Sequence, residues 1–173
     1  MPELDISYEL DGWHEFFVAA AGAAAALSGL IFVAVSINLR AILDEEQRIG
    51  SSYLTGRALE SLVALLIVLG ISLVGLDPSL AVAVFGVVVL LSAVGTAVSP
   101  VRGLLAYRRS HVKPVGFGLR LMLATLLVAV YAVAAITVIA GAGGGLQWLP
   151  VAFILAVSIA ASNAWVLLVE VLR

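Results

Sequence analysis

The chain contains no cysteine, which excludes disulfide frameworks, thiol catalysis and thiolate metal sites. Charge is scarce as well, at 12% of the residues, where soluble domains carry about 25%. Histidine occurs twice, at His14 and His111. The zincin pattern that His14-Glu15 begins needs a second histidine where Val18 stands. Basic residues are missing from the first 39 positions, and Glu3, Asp5, Glu9, Asp11 and Glu15 fill the start instead. A secretory signal opens on a basic segment, so this start reads as mature sequence with no cleavable targeting segment. No paired intramembrane aspartates, no serine–histidine pair at matching depth and no phosphate loop occur. The sequence therefore predicts a protein that is not an enzyme, with no cofactor, no metal and no nucleic-acid partner.

What is abundant is apolar surface. The 173 residues are 63% hydrophobic with a mean hydropathy of +1.19, more than a soluble fold of this length could cover. A helix crosses a hydrocarbon core of about 30 Å with about 20 apolar residues. Five stretches meet that length, at about 16–39, 55–76, 79–101, 119–140 and 148–171. The run from Leu121 to Val169 is divided by Gly141-Ala142-Gly143-Gly144-Gly145. Residues 1–15 form an acidic tail, and 16–173 a five-helix transmembrane domain. The expected fold is all-α, a polytopic membrane helix bundle.

All 9 basic residues fall at one side of this arrangement. Arg40, Arg48 and Arg57 flank the first loop; Arg102, Arg108, Arg109, Lys113 and Arg120 flank the third; Arg173 ends the chain. Positive charge marks the cytoplasmic face, so the N-terminus is expected outside and the C-terminus in the cytoplasm. Trp13 and Trp148 fall at the outer interface. Spans two and three read as one tight hairpin and four and five as another, opening on Gly56-Arg57-Ala58-Leu59 and Gly118-Leu119-Arg120-Leu121. A duplicated hairpin would give that layout, although apolar helices also resemble one another by composition.

The first span is crowded with small residues. Ala21, Ala25 and Gly29 follow small-xxx-small spacing, and Gly22 and Ala26 add a second ridge, which lets helix backbones approach closely. Packing at the centre of the bundle is the expected use; self-association is the other. Ser92, Thr96 and Ser99 share one face of the third span, either lining a wet path or bonding across helices. Asn163 lies near the middle of the fifth span, where a carboxamide needs partners, and Asn38 is one candidate. Glu60 sits inside the start of the second span, where acidic residues are rare and functional candidates by default. The plain expectation is an Arg57–Glu60 pair at i, i+3, and Glu170 with Arg173 reads the same way. The tail alternates Leu4, Ile6, Tyr8 and Leu10 with polar residues. A solvated cap over the outer face is expected rather than a cation site. The 102–120 loop reads as a segment over anionic lipid headgroups.

Four stretches carry a resemblance: Trp13-His14-Glu15-Phe16-Phe17 running on to Ser36-Ile37-Asn38-Leu39; Arg57-Ala58-Leu59-Glu60; Gln147-Trp148-Leu149-Pro150; and Asn163-Ala164-Trp165-Val166-Leu167-Leu168-Val169-Glu170. Together they resemble a family of small multi-pass membrane proteins of high-GC actinobacteria, some labelled modulator of FtsH protease. The resemblance implies that Glu60 and Asn163 belong to recurring local patterns, and it carries over no functional residue. The sequence thus predicts a non-catalytic homo-oligomer or accessory subunit of a larger membrane complex, acting through helix–helix contacts. The alternative is a small oligomeric ion channel or transporter, lined by the third-span hydroxyls or by Asn163, with Glu60 at its inner mouth.

Overall fold

The computed structural model of the chain describes residues 8–49, 53–110 and 117–169. The expected Glu170–Arg173 pair, residues 1–7 of the tail, and His111 and Lys113 of the third loop lie outside these. Five α-helices account for most of the described chain: α1 His14–Ile49, α2 Tyr53–Gly75, α3 Val82–Ser110, α4 Phe117–Ala140 and α5 Trp148–Val169. Short 3-10 turns, Leu10–Trp13 and Gly145–Gln147, precede α1 and α5, and no strand occurs among the described residues. Five helical stretches, two of them taking in the 3-10 turns, are long and apolar enough to cross a membrane: Leu10–Arg40, Thr55–Gly75, Val82–Leu105, Phe117–Ala140 and Gly145–Trp165.

One end of the bundle is tied by short connections. After Ala140, Gly141 takes a left-handed φ of 63°. The Gly141 N–H then bonds the Val138 carbonyl at 3.3 Å and the Ala142 N–H the Thr137 carbonyl at 3.2 Å. This crossed pair is the Schellman closure that satisfies the last carbonyls of a helix. Gly144, at φ 102°, donates its N–H to the Tyr8 hydroxyl at 3.0 Å, and the Trp148 indole N–H reaches the Gly143 carbonyl at 3.0 Å. The α2–α3 connection at the same end is an Asx-type turn. There Asp77 Oδ1 accepts from the Ser79 N–H at 2.9 Å and the Ser79 hydroxyl at 2.6 Å. These two bonds hold the Asp77 carboxyl below its usual range. Arg40, Arg57, Arg102, Arg108 and Arg120 all lie toward the opposite end, the basic end.

Aromatic rings knit the glycine end. Phe16 stacks on Phe153 at 5.5 Å, Trp13 meets Phe16 edge-on at 5.5 Å, and Phe17 tilts against Phe85 at 5.6 Å. The Phe17 ring lies over Gly75, where a Cβ would come within 2.7 Å of it. The core around these rings draws on all five helices, through residues such as Ala24, Val68, Val89, Ala134 and Ala156.

Packing away from that end departs from two expectations. Spans two and three do not form a tight hairpin over their length. α3 packs most closely against α4, and α2 against α1 and α5. Gly86 marks the α3–α4 contact, since a Cβ there would stand 2.6 Å from the Ile139 side chain. The first span is also not the central helix. α1 runs along α2 and touches α5, and Gly22, Ala25, Ala26 and Gly29 are exposed, with Ala21 half-buried. Added Cβ atoms at Gly22 and Gly29 would meet nothing within 4 Å. The residues that bury the spanning part of α1 are instead Phe17, Ala24 and Ile31, spaced by seven, with Ile42 buried beyond them. One stripe therefore serves the core, and the small ridges face out.

Candidate functional site

The helices diverge toward the basic end because α2 and α3 turn to different partners. The divergence opens a half-open cleft of about 560 Å³ between α2, α3 and α4, with Ile159 of α5 at its floor. From α2 it is lined by Gly56, Leu59, Glu60, Val63, Ala64 and Ile67. These positions recur at helical spacing and form one face. α3 contributes Gly95, Thr96, Val98, Ser99 and Pro100, with Arg102 and Gly103 near the mouth; α4 contributes Phe117, Arg120, Leu121, Ala124 and Leu127. Pro100 lies inside α3 and has no N–H to offer the Thr96 carbonyl, a common cause of a bent helix.

Glu60 crosses the cleft. Its carboxylate pairs with the Arg120 guanidinium at the start of α4, and both side chains are partly shielded, at 17% and 32% exposure. The expected Arg57–Glu60 pair is replaced by two separate contacts. Arg57 stands about 60° around α2 from Glu60 at 100° per residue, which turns it toward α5. There the Arg57 Nε donates to Asn163 Oδ1 at 3.1 Å. Asn163 is buried, and its Nδ2 has no hydrogen-bond partner among the described residues. Asn38 is not that partner: its amide donates to the Ala34 carbonyl of its own helix at 2.9 Å. Ser61, one turn after Arg57, is likewise buried and bonds back to the Arg57 carbonyl.

The third-span hydroxyls divide. Thr96 and Ser99 border the cleft and Ser92 does not. The Ser92 hydroxyl donates to the Val88 carbonyl at 2.9 Å and the Thr96 hydroxyl to the Ser92 carbonyl at 2.8 Å. Such i−4 bonds satisfy a hydroxyl within its own helix, so these two groups need no interhelical partner. Phe117 and Pro100 are cleft residues that sequence reasoning did not single out, and Arg102 and Arg120 were read there only as the ends of a loop over lipid headgroups.

The cleft is thus an apolar slot with charge confined to one end. Glu60, Arg102 and Arg120 bring one negative and two positive charges there, and Thr96 and Ser99 add short polar groups beside them. Among the described residues no three histidine, aspartate or glutamate side chains gather as a metal cluster. Comparison with protein-family models, curated proteins and solved structures gives no match for the chain.

Proposed function

We propose that the chain is a non-catalytic, multi-pass protein of the bacterial cytoplasmic membrane, N-terminus outside, acting through helix–helix contacts as a homo-oligomer or an accessory subunit. The orientation rests on the convergence of Arg40, Arg57, Arg102, Arg108 and Arg120 at one end, because positive charge marks the cytoplasmic side. The interaction reading rests on one observation, the outward face of α1. Gly22, Ala25, Ala26 and Gly29 are exposed there, and small residues at such spacing let a second helix approach to backbone contact. In lipid, that close packing is the main source of association.

The test exploits the open space. Gly29→Leu adds a side chain where nothing lies within 4 Å, and leucine is favoured over glycine in a helix by roughly 0.8 kcal/mol. The fold of a single chain is therefore expected to hold, with thermal unfolding unchanged or higher. Association measured by light scattering in mild detergent is expected to weaken at least tenfold. A wild-type protein that runs as one chain per micelle, with no co-purifying partner, would refute the reading.

A channel or transporter is the second reading, and the placement of Thr96, Ser99 and Glu60 along the cleft favours it. Liposomes carrying the protein would then pass ions faster than empty ones, and Glu60→Ala would change the rate. Flux equal to that of empty liposomes removes it.

A further inference from the structure

The cleft has the dimensions of one leaflet. Its α2 wall runs from Gly56 to Ile67 and its α4 wall from Phe117 to Leu127. At 1.5 Å per helical residue these walls are roughly 16 and 15 Å long, and half of a hydrocarbon core of about 30 Å is about 15 Å. The slot begins at the basic end and closes near the middle of the bundle, at Ile67, Leu127 and Ile159. Its volume of about 560 Å³ falls within the range of roughly 300–1,000 Å³ typical of small-molecule sites.

Charge in the slot is asymmetric in the same sense. Val63, Ala64, Ile67, Ala124 and Leu127 make the deeper walls apolar. At the mouth, Arg120 is engaged by Glu60, while Arg102 is exposed on the facing helix with no ion pair among the described residues. One negative charge against two positive ones leaves the mouth with a net charge of +1. An apolar slot one leaflet deep with a cationic rim complements an amphiphile that has an anionic head and an acyl tail.

We propose that the cleft binds one anionic phospholipid from the leaflet at the basic end, with an acyl chain between α2, α3 and α4 and the phosphate at Arg102. Arg120, already held by Glu60, presents its guanidinium on the opposite side of the head. The proposal rests on the membrane placement argued above. It is independent of the α1 contact, so failure of either leaves the other standing.

The experiment is native mass spectrometry of the full chain in detergent. It is titrated with phosphatidylglycerol or phosphatidylcholine of identical chains, and with glycerol phosphate as the head alone. One phosphatidylglycerol per chain is expected to be held at least tenfold more tightly than phosphatidylcholine and to resist millimolar glycerol phosphate. Arg102→Gln, a change at an exposed side chain, is expected to weaken that binding about fivefold. Gly95→Phe fills the slot from α3, where an added Cβ meets nothing within 4 Å, and is expected to weaken it at least tenfold. Helix content by circular dichroism shows whether the filled variant folds, and the Arg102→Gln result decides the matter if it does not. Equal retention of the two lipids, displacement by glycerol phosphate, or full binding by a folded Gly95→Phe protein would overturn the proposal. So would a second copy or another helix that occupies the slot without dependence on lipid and is released by Gly95→Phe.

Discussion

Tyr131 is the bulkiest of the fully buried side chains, and its hydroxyl has no hydrogen-bond partner among the described residues. The ring contributes to the core that joins α4 to its neighbours, whereas the hydroxyl only loses solvation. A buried hydroxyl left unpartnered costs about 1–3 kcal/mol. Tyr131→Phe keeps the ring and removes that cost, so the variant is expected to unfold at a higher temperature, with a gain of about 1 kcal/mol. Thermal denaturation in detergent checks it, and a loss of stability would show that the hydroxyl is satisfied. Asn163 differs in kind, since half of its amide is used. Its oxygen takes the Arg57 N–H, so Asn163→Leu would strand that donor. Burial of Asn163 was legible from its mid-span position, because hydrocarbon does not tolerate a free carboxamide. Its partner was not legible, because a carboxamide is served equally by any donor that the packing supplies.

At the level of the helices, local features transferred well from sequence to structure. The glycine run ends α4 because Gly141 must adopt a left-handed φ for the Schellman closure. The apolar lengths located five helices, since length and composition alone decide whether a helix can cross a bilayer. Hydropathy marks where apolar residues stop, however, and a helix need not stop there. α1 accordingly continues through Arg40 and Asp44 to Ile49. Neighbour relations transferred poorly. A small-residue ridge is equally suited to an inner and an outer face, and only the burial of Phe17, Ala24 and Ile31 reveals that the ridges of α1 face out. Sequence adjacency suggested an α2–α3 hairpin, but Gly86 admits α4 so closely that α3 is drawn to it instead. That choice of partner creates the cleft, which is why the grouping of Glu60, Thr96 and Ser99 with Arg102 and Arg120 was the least visible feature in the sequence. Glu60 stood out because an acidic group inside a span is costly. Arg120 sat near the expected start of a span, where basic residues are ordinary.

Across the whole molecule the bundle comprises two packed groups, α1–α2–α5 and α3–α4, joined by the packing of α4 on α5. α2 is held by α1 and α5, and α3 is held by α4. At the glycine end the groups merge through the Phe16, Phe17, Phe85 and Phe153 rings. At the basic end α2 and α4 stand on either side of the cleft, and the Glu60–Arg120 pair joins them across it. A fully exposed pair would contribute at most about 1 kcal/mol, and breaking a fully buried one would cost about 3–5 kcal/mol. With side chains 17% and 32% exposed, this pair falls between, so a coupling of about 1–3 kcal/mol is expected from the cycle of Glu60→Gln, Arg120→Gln and the double variant. The exchanged protein, Glu60→Arg with Arg120→Glu, is expected to recover part of that loss, since the charges still meet across the cleft. The effect should also be local. Spin labels at the exposed positions Leu59 and Leu119 should move apart in Glu60→Gln, while labels at the glycine end should keep their separation. Coupling near zero, with label distances unchanged at both ends, would mean that helix packing alone sets the width of the cleft.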